Sequence, residues 1–393
     1  MESKINNDQD KSSVNQKTEN NIYAEKKEKK ENSNKTEESN IDSDSNNNQE
    51  EVLNDILKRK SFHPWITSKS KCHTTHGILK LHYEILDFYE FIKLKPEEKE
   101  LRRKTFEEVK NLIESNYKEY SVKIFGSFTI DLSLPDSDID LLILSDKIKK
   151  NFDECTKKEK IEPLEKIYKL IENSNKFSSY ELIKDAKVPI IKCVYKETDI
   201  HVDISDIRTN GLEVIKEIKE VQKIYPCINP LIILIKYALR QRELNEIYKG
   251  GISSFIVFSL VYYFISYMSK VYKYKKKNGE KIKPYTLGEL LLEFLNFYGK
   301  QFNYKELGIS IRHGGYLYKR KDNGKHVLSM ENFQDINQDI GSSCFRFGEV
   351  VDFFKFALKS MYFPKSPAVE SYLEYFIITD NLIKERATKY KDQ

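Results

Sequence analysis

The sequence predicts a small mixed α/β domain followed by a mainly α-helical one. Three observations carry this. Short Val/Ile-rich runs with period-two alternation lie between residues 120 and 206, an amphipathic helical stretch separates the second from the third of them, and longer helical patterns take over from about 215. The boundaries read as a polar tail over 1–55, an N-terminal helical segment over 56–104 that packs with the later helices, an α/β domain over 105–214 and a helical domain over 215–393.

Residues 1–50 hold eight Lys against twelve Asp and Glu, a net of −4, with Tyr23 as their one aromatic residue. Such a segment cannot bury enough apolar surface to offset chain entropy, so the tail is expected to be disordered. The overall charge is +5, so residues 51–393 carry +9, which suits a polyanionic partner. The polar N-terminus argues against a secretory signal. Five scattered cysteines, with no CxxC pair, read as reduced thiols. "CHTTH" (72–76) lacks a second ligand pair at finger spacing and reads as loop.

Helices are expected over 79–94 and 97–116, the second starting just after Pro96 with Leu101, Phe106, Val109, Leu112 and Ile113 near helical spacing. Strands follow at 120–127, 137–144, 188–195 and 199–206, with the helix "KKEKIEPLEKIYKLIENS" between the second and third. "NPLIILIKYALRQRELNEIYK" is expected to start with Asn229 as N-cap and Pro230 in the first turn, and to stop at Gly250-Gly251. The apolar run at 252–268 is short of the ~20 residues that a bilayer span needs, and reads as a buried helix. "KVYKYKKKNGEKIKPY" (270–285) reads as a solvated interhelical loop, "GISIRHGGYLYKR" as a hairpin, and "TLGELLLEFLNFYG" and "GEVVDFFKFALKSM" as amphipathic helices.

The chemistry starts at "GSFTIDLSLPDSDIDLL" (126–142). Strand side chains alternate faces, so Asp138 and Asp140 point the same way, and two carboxylates that close repel unless a cation sits between them. In "DIHVDISD", Ile200, Val202 and Ile204 share one face while His201, Asp203 and Ser205 share the other. Three converging strand carboxylates make a site for two divalent cations, which activates a hydroxyl and neutralises a leaving pyrophosphate. Gly126-Ser127 upstream adds backbone N–H groups and a hydroxyl for a phosphate.

These motifs, with "VPIIKC", "HVDISDIRTNGLEV", "LIKYALRQRELNEIYKGGISSF", "LGELLLEFLNFYGKQFNYKELGISIRHGGY", "QDIGSSCFRFGEV" and "HPWI" at 63–66, resemble the DNA polymerase β-like nucleotidyltransferase superfamily. Within it they are most similar to the nuclear, template-independent poly(A) polymerases of TRAMP-type RNA surveillance complexes, across roughly 62–360. The resemblance implies a palm-like α/β nucleotidyltransferase domain with a mixed sheet, and a helical central domain carrying a base-recognition loop. It implies that Asp138, Asp140 and Asp203 bind two Mg²⁺ or Mn²⁺ ions, with Asp203 also helping to deprotonate an RNA 3′-hydroxyl. Gly126, Ser127, Lys236 and Ser254 would hold the ATP triphosphate, with Arg240 assisting from the same helical face. Thr209 and Asn210 would contact the ribose, and Phe255 would stack on the base. Gln338 and Asp339, in "DINQDIG", match adenine better than uracil, since uridine-adding relatives tend to have histidine in place of Gln338. The sequence departs from the family's pattern at Glu331-Asn332-Phe333, where Glu-Asp-Pro is usual, and at Asp136, where glycine is usual.

The leading expectation is thus an enzyme adding adenylates from ATP to RNA 3′ ends in the nucleus, in RNA surveillance and decay. A uridylyltransferase and a non-catalytic scaffold of an RNA decay complex are the alternatives. No RNA-recognition module is apparent, so the resemblance implies a zinc-knuckle RNA-binding protein and an RNA helicase as partners, with no membrane involved.

Overall fold

The computed structural model describes residues 62–390, apart from 76, 146–154, 187, 207–210, 323, 334 and 363–369. The tail expected over 1–55 and the ribose contacts expected at Thr209 and Asn210 lie outside the described residues.

Two helices lead in, α1 (Gly77–Ile92) and α2 (Pro96–Asn116). Pro96 at the start of α2 suits the first turn, where its missing N–H costs nothing, and the Glu98 carboxylate accepts from the Lys95 N–H at 2.8 Å. The sheet strands are β1 (Tyr120–Phe125), β2 (Ile139–Ser145), β3 (Phe177–Ile183), β4 (Ile190–Tyr195) and β5 (Ile200–Ser205), with α3 (Lys157–Ser174) between β2 and β3. Their order is β1-β2-β5-β4-β3. Only the β2–β5 pair is parallel, so the sheet is mixed. One face packs Ile139, Leu141, Ile143, Ile191, Val202 and Ile204 against Val109 and Ile113 of α2 and Leu164, Ile167 and Ile171 of α3. The other face carries Asp140, Asp203 and Lys192, which is the outcome period-two alternation demands.

The second half is helical: α4 (Gly211–Ile224), α5 (Ile228–Arg240), α6 (Ser254–Lys277), α7 (Leu287–Asn296), α8 (Phe347–Tyr362) and α9 (Asn381–Lys389). A small antiparallel hairpin, β6 (Leu307–Ser310) with β7 (Tyr316–Lys319), interrupts it. Helix α5 is apolar nearly all round and lies at the centre of the core, buried from Ile228 to Leu239 except at Asn229. Helix α6 is long and apolar enough to cross a membrane by composition, but Ile256 to Val261 and Tyr263 to Ser266 are buried inside the protein, which makes it a core helix. The last described elements pack back on the first two helices. The buried Glu84 carboxylate of α1 accepts from Trp65 Nε1 (3.1 Å), the Ser371 hydroxyl and the N–H groups of Tyr372 (2.8 Å) and Leu373 (3.3 Å), while Arg386 of α9 pairs with Glu98 at 2.5 Å.

Several expected details differ. Helix α5 starts at Ile228, with Cys227 and not Asn229 at the cap, because the Asn229 side chain instead accepts from Gln222 at 2.9 Å. It ends at Arg240, ten residues before Gly250. Helix α6 runs on to Lys277, so the first half of the lysine-rich segment is helical; no breaker precedes Asn278-Gly279. Asp138 lies just before β2, not within it. The expected boundaries at 104/105 and 214/215 fall inside the continuous helices α2 and α4.

Candidate active site

The β2–β5 register sets Asp140 directly beside Asp203, and the β5–β4 register sets Asp203 beside Lys192. Asp138, two residues before Asp140, completes the group. Lys192 Nζ lies 3.0 Å from Asp203 Oδ2 and 3.6 Å from Asp138 Oδ2. Burial, then the charges of Asp203 and Asp138, push the Asp140 carboxyl up to about 7. Burial and then Asp138 raise Asp203 as well. Burial works against the charge on Lys192, yet Asp203 and Asp138 outweigh it and raise its pKa. Among the described residues no three His, Cys, Asp or Glu side chains already close into a metal cage; the carboxylates are spread around the Lys192 ammonium. Their chemistry still fits divalent cations. All three are hard oxygen donors, and Asp140 is held at a cost that positive charge relieves.

Gly126 shows why this site needs glycine. Its φ is +69°, and a Cβ there would overlap the Asp140 carboxylate. The short turn Gly126–Ile130 follows, with Thr129 Oγ1 donating to the Gly126 carbonyl at 2.8 Å and the Ser127 and Ser133 hydroxyls 3.0 Å apart.

A cavity of about 750 Å³ opens over these groups, lined by Ser127, Asp136, Asp138, Asp140, Lys192, Lys236, Arg240, Ser254 and Asp380 among others. Lys236 is 5% exposed and donates to the Leu132 carbonyl at 2.9 Å; burial pulls its pKa down to about 8. Arg240, one turn on, pairs with Asp136 and, at 3.0 Å, with Asp380. Ser254 is the first residue of α6, where the Ser253 hydroxyl caps the Ile256 N–H at 3.1 Å. Ser127 and Ser254 also border a more apolar cavity of about 300 Å³, walled by Phe125, Val214, Phe255, Phe258, Asn332 and Ile340. Phe255 stacks on Phe258, ring centroids 6.3 Å apart. Polar, charged space thus adjoins flat apolar space across two serines, a shape that matches a nucleoside triphosphate.

Gln338 and Asp339 are not among the residues that wall these cavities. The Asp339 carboxylate is used by its own loop, accepting from the Ser329 hydroxyl (2.6 Å) and the N–H groups of Met330 (2.9 Å) and Gly341 (2.8 Å). Gln338 sits one residue removed. Its side-chain carbonyl accepts from the amide of Asn332, and its backbone carbonyl from the Asn332 N–H at 2.8 Å, and Asn332 is the residue on the wall.

Residues 81–218 match the family described as poly(A) RNA polymerase, mitochondrial-like, central palm domain, and residues 286–337 match the Cid1 family of poly A polymerases. The chain belongs to the poly(A) RNA polymerase family. Poly(A) RNA polymerase cid14 of Schizosaccharomyces pombe is 32% identical over 350 residues, covering 86% of this chain and 49% of that protein. Poly(A) RNA polymerase protein 1 of Saccharomyces cerevisiae is 31% identical, covering 73% of this chain and 44% of that protein. The chain spans about half the length of the curated relatives it matches. A solved structure of the polymerase core of TRAMP, an RNA surveillance complex, matches with a TM-score of 0.67 at 26% identity, covering 83% of this chain and 96% of that one.

Three residues that shape the cavity of this poly(A) RNA polymerase-family chain escaped the sequence reading. Arg102 of α2 is buried and donates to the carbonyls of Pro135 (2.6 Å) and Ser137 (3.3 Å), which fixes the loop that delivers Asp138. Lys192 pairs with Asp203 of the neighbouring strand and with Asp138. Asp380 enters from the far end of the chain. Lys192 stands in the strand "VPIIKC", opposite Asp203, so an antiparallel pairing of that strand with "DIHVDISD" would have exposed it; no local signal marks the other two.

Proposed function

We propose that the chain is a template-independent RNA 3′-end adenylyltransferase that takes AMP from ATP and releases pyrophosphate. The observation that carries this reading is the convergence of Asp138 and Asp140, with Asp203 beside Asp140, at a cavity that also holds Lys236 and Arg240 and shares Ser127 and Ser254 with an aromatic-walled pocket. Asp138, Asp140 and Asp203 would hold two Mg²⁺ or Mn²⁺ ions, which when bound polarise the α-phosphate and stabilise the leaving pyrophosphate. The 3′-oxygen of RNA bonds to the α-phosphorus while the bond to the β-phosphate breaks. Asp203, made more basic than an ordinary carboxylate by its burial, takes the 3′-hydroxyl proton. Lys236 and Arg240 supply positive charge to the outer phosphates, Ser127 and Ser254 supply hydroxyls between triphosphate and sugar, and Phe255 offers its ring to the base. Thr209 and Asn210 serve the ribose. The Asn332–Gln338 amide pair presents both a donor and an acceptor, which suits the adenine edge.

The setting belongs to the same proposal. Similarity to the TRAMP polymerase core supports a nuclear role in RNA surveillance, with a zinc-knuckle RNA-binding protein and a helicase bringing the RNA. Incubation of the purified chain with a labelled oligoribonucleotide and each NTP separately, with Mg²⁺ or Mn²⁺, tests the reaction. Extension with ATP, abolished by Asp138→Ala in a folded protein, is the expected result. No extension under any condition, or full extension by the variant, would overturn it; faster extension with UTP would replace the nucleotide assignment.

A further inference from the structure

Arg240 is held by two carboxylates from distant parts of the chain, and the two are not equivalent. Asp380 is itself fixed. Its Oδ1 accepts from the Tyr237 hydroxyl at 2.7 Å and from the Ile383 N–H at 3.0 Å, where it caps α9, and its Oδ2 takes Arg240 Nη1 at 3.0 Å. The guanidinium also lies over the Tyr237 ring, 5.4 Å from its centroid. Asp136 approaches from the 131–138 loop and takes the Nε and Nη2 edge of the same guanidinium. No backbone donor among the described residues fixes the Asp136 carboxylate, and the side chain is 35% exposed. The edge that Asp136 covers is the fork that binds a carboxylate or a phosphate with two N–H groups. It faces the cavity that holds Lys236, and Asp136 is one of that cavity's walls.

We infer that Asp136 is a built-in competitor for the phosphate fork of Arg240, so that a polyphosphate binds by displacing Asp136 while Asp380 and Tyr237 keep the guanidinium in place. This rests on the reading of the cavity as a triphosphate site. Asp136 then sets nucleotide affinity without touching the reacting atoms, and Asp380 is a positioning residue that acts through Arg240. The arrangement weakens capture of any polyphosphate that lacks other contacts, and makes binding depend on the sugar and base as well. It also stops an unopposed cation pair, Lys236 and Arg240, from trapping the pyrophosphate that the reaction releases.

The test is calorimetric titration of the whole chain with inorganic tripolyphosphate in Mg²⁺, in five proteins: wild type, Asp136→Asn, Arg240→Gln, the Asp136→Asn/Arg240→Gln double variant and Asp380→Asn. Asp136→Asn is expected to tighten tripolyphosphate about fivefold, the upper end of what one partly exposed ion pair is worth. In the Arg240→Gln background the same change is expected to have no effect, because the fork for which it competes is gone. Asp380→Asn, which keeps the cap and the acceptor for Tyr237, is expected to loosen tripolyphosphate by loosening Arg240. Steady-state kinetics with ATP should place the Asp136→Asn effect in KM, with kcat within about twofold of wild type. An unchanged or weaker affinity in Asp136→Asn overturns the inference. So does an equal gain in both backgrounds, which would mean general charge repulsion and no competition. Melting temperatures check that each variant is folded, and Asp136→Ser serves if the Asn variant is not. Tripolyphosphate carries no base or sugar, so these affinities stand apart from the polymerase reading, which RNA extension by the wild type judges separately.

Discussion

Replacing Asp140 by Asn should abolish catalysis and stabilise the metal-free protein, and the two effects have one cause. Burial, then Asp203 and Asp138, hold the Asp140 carboxyl at about 7 where 3.8 is ordinary, so above neutral pH the fold carries an ionised group that it disfavours. At full strength that difference is worth about 4 kcal/mol, at ~1.4 kcal/mol per pKa step. The group stands at the mouth of an open cavity, and water there cuts the cost to about half, roughly 2 kcal/mol. For a folded body of this size each kcal/mol moves the melting temperature by roughly 2 °C, so Asp140→Asn should melt about 4 °C higher in EDTA at pH 8. The sign with pH follows from a folded value above the unfolded one in an acid. The destabilisation is complete above about 7, shrinks as pH falls and is gone below 3.8. At pH 5.5 the variant's advantage should therefore fall to about half, roughly 2 °C. Saturating Mg²⁺ should narrow the gap at pH 8, because cations stabilise the wild type by binding it. Differential scanning fluorimetry over these conditions is sufficient. A variant that melts lower than wild type in EDTA, or a gain that is flat or grows toward acid pH, would refute the reasoning.

Other outcomes follow from single contacts. Gly126→Ala puts a Cβ into the Asp140 carboxylate at a positive φ, so RNA extension should fall at least a hundredfold while stability drops only about 1–2 kcal/mol, as paired activity and melting measurements would show. Glu84→Ala leaves Trp65 Nε1, the Ser371 hydroxyl and two backbone N–H groups without their acceptor, which should cost about 3 kcal/mol in chemical denaturation, with Glu84→Gln markedly milder. Gln338→His breaks the amide pair with Asn332, and should lower the ATP-to-UTP ratio of kcat/KM by about tenfold, a ~1.4 kcal/mol change within reach of one or two hydrogen bonds.

What was legible in the sequence was what short-range periodicity controls. The alternation in "DIHVDISD" put Asp203 on the face opposite Val202 and Ile204, and the strand has that pattern of burial. The same logic missed β3, "FSSYELI", because an edge strand with four successive exposed residues carries no alternation. Helix ends were misplaced where a capping residue had another use: Asn229 looks like a cap in sequence and serves Gln222 in the fold. Gly250 does not end α5; at a φ of +80° it closes the short 3₁₀ turn Ile247–Lys249 instead, and its lack of a Cβ leaves room for the ring of Phe345. The long-range terms were out of reach. Nothing near residue 380 announces that its carboxylate would meet Arg240, 140 positions earlier, since a lone Asp before a short helix reads as a cap and is one as well. Arg102 likewise reads as the polar side of an amphipathic helix until Pro135 and Ser137 fold over it.

The charge of the cavity orders the rest of the chemistry. Its walls bring six acidic side chains, Asp136, Asp138, Asp140, Glu243, Glu246 and Asp380, against the three basic ones of Lys192, Lys236 and Arg240, and Asp203 adds a further acid alongside. A bare nucleoside triphosphate is itself strongly anionic, so the protein's own cations cannot hold it: Lys192 is already paired with Asp203 and Asp138, Arg240 with Asp136 and Asp380. Lys236 alone reaches the cavity without a carboxylate bonded to it among the described residues, and its burial lowers its pKa to about 8. The balance closes only when divalent charge enters with the substrate. The two ionic clusters then have the same logic. Each sets a basic side chain against acids in the free protein, and each must rearrange when ligand arrives. Two of the carboxylates that would bind cations, Asp138 and Asp203, are paired with Lys192, and the fork that would bind phosphate is covered by Asp136. On the proposed function, substrate and cations would therefore be taken up together, by exchange of ion pairs already formed.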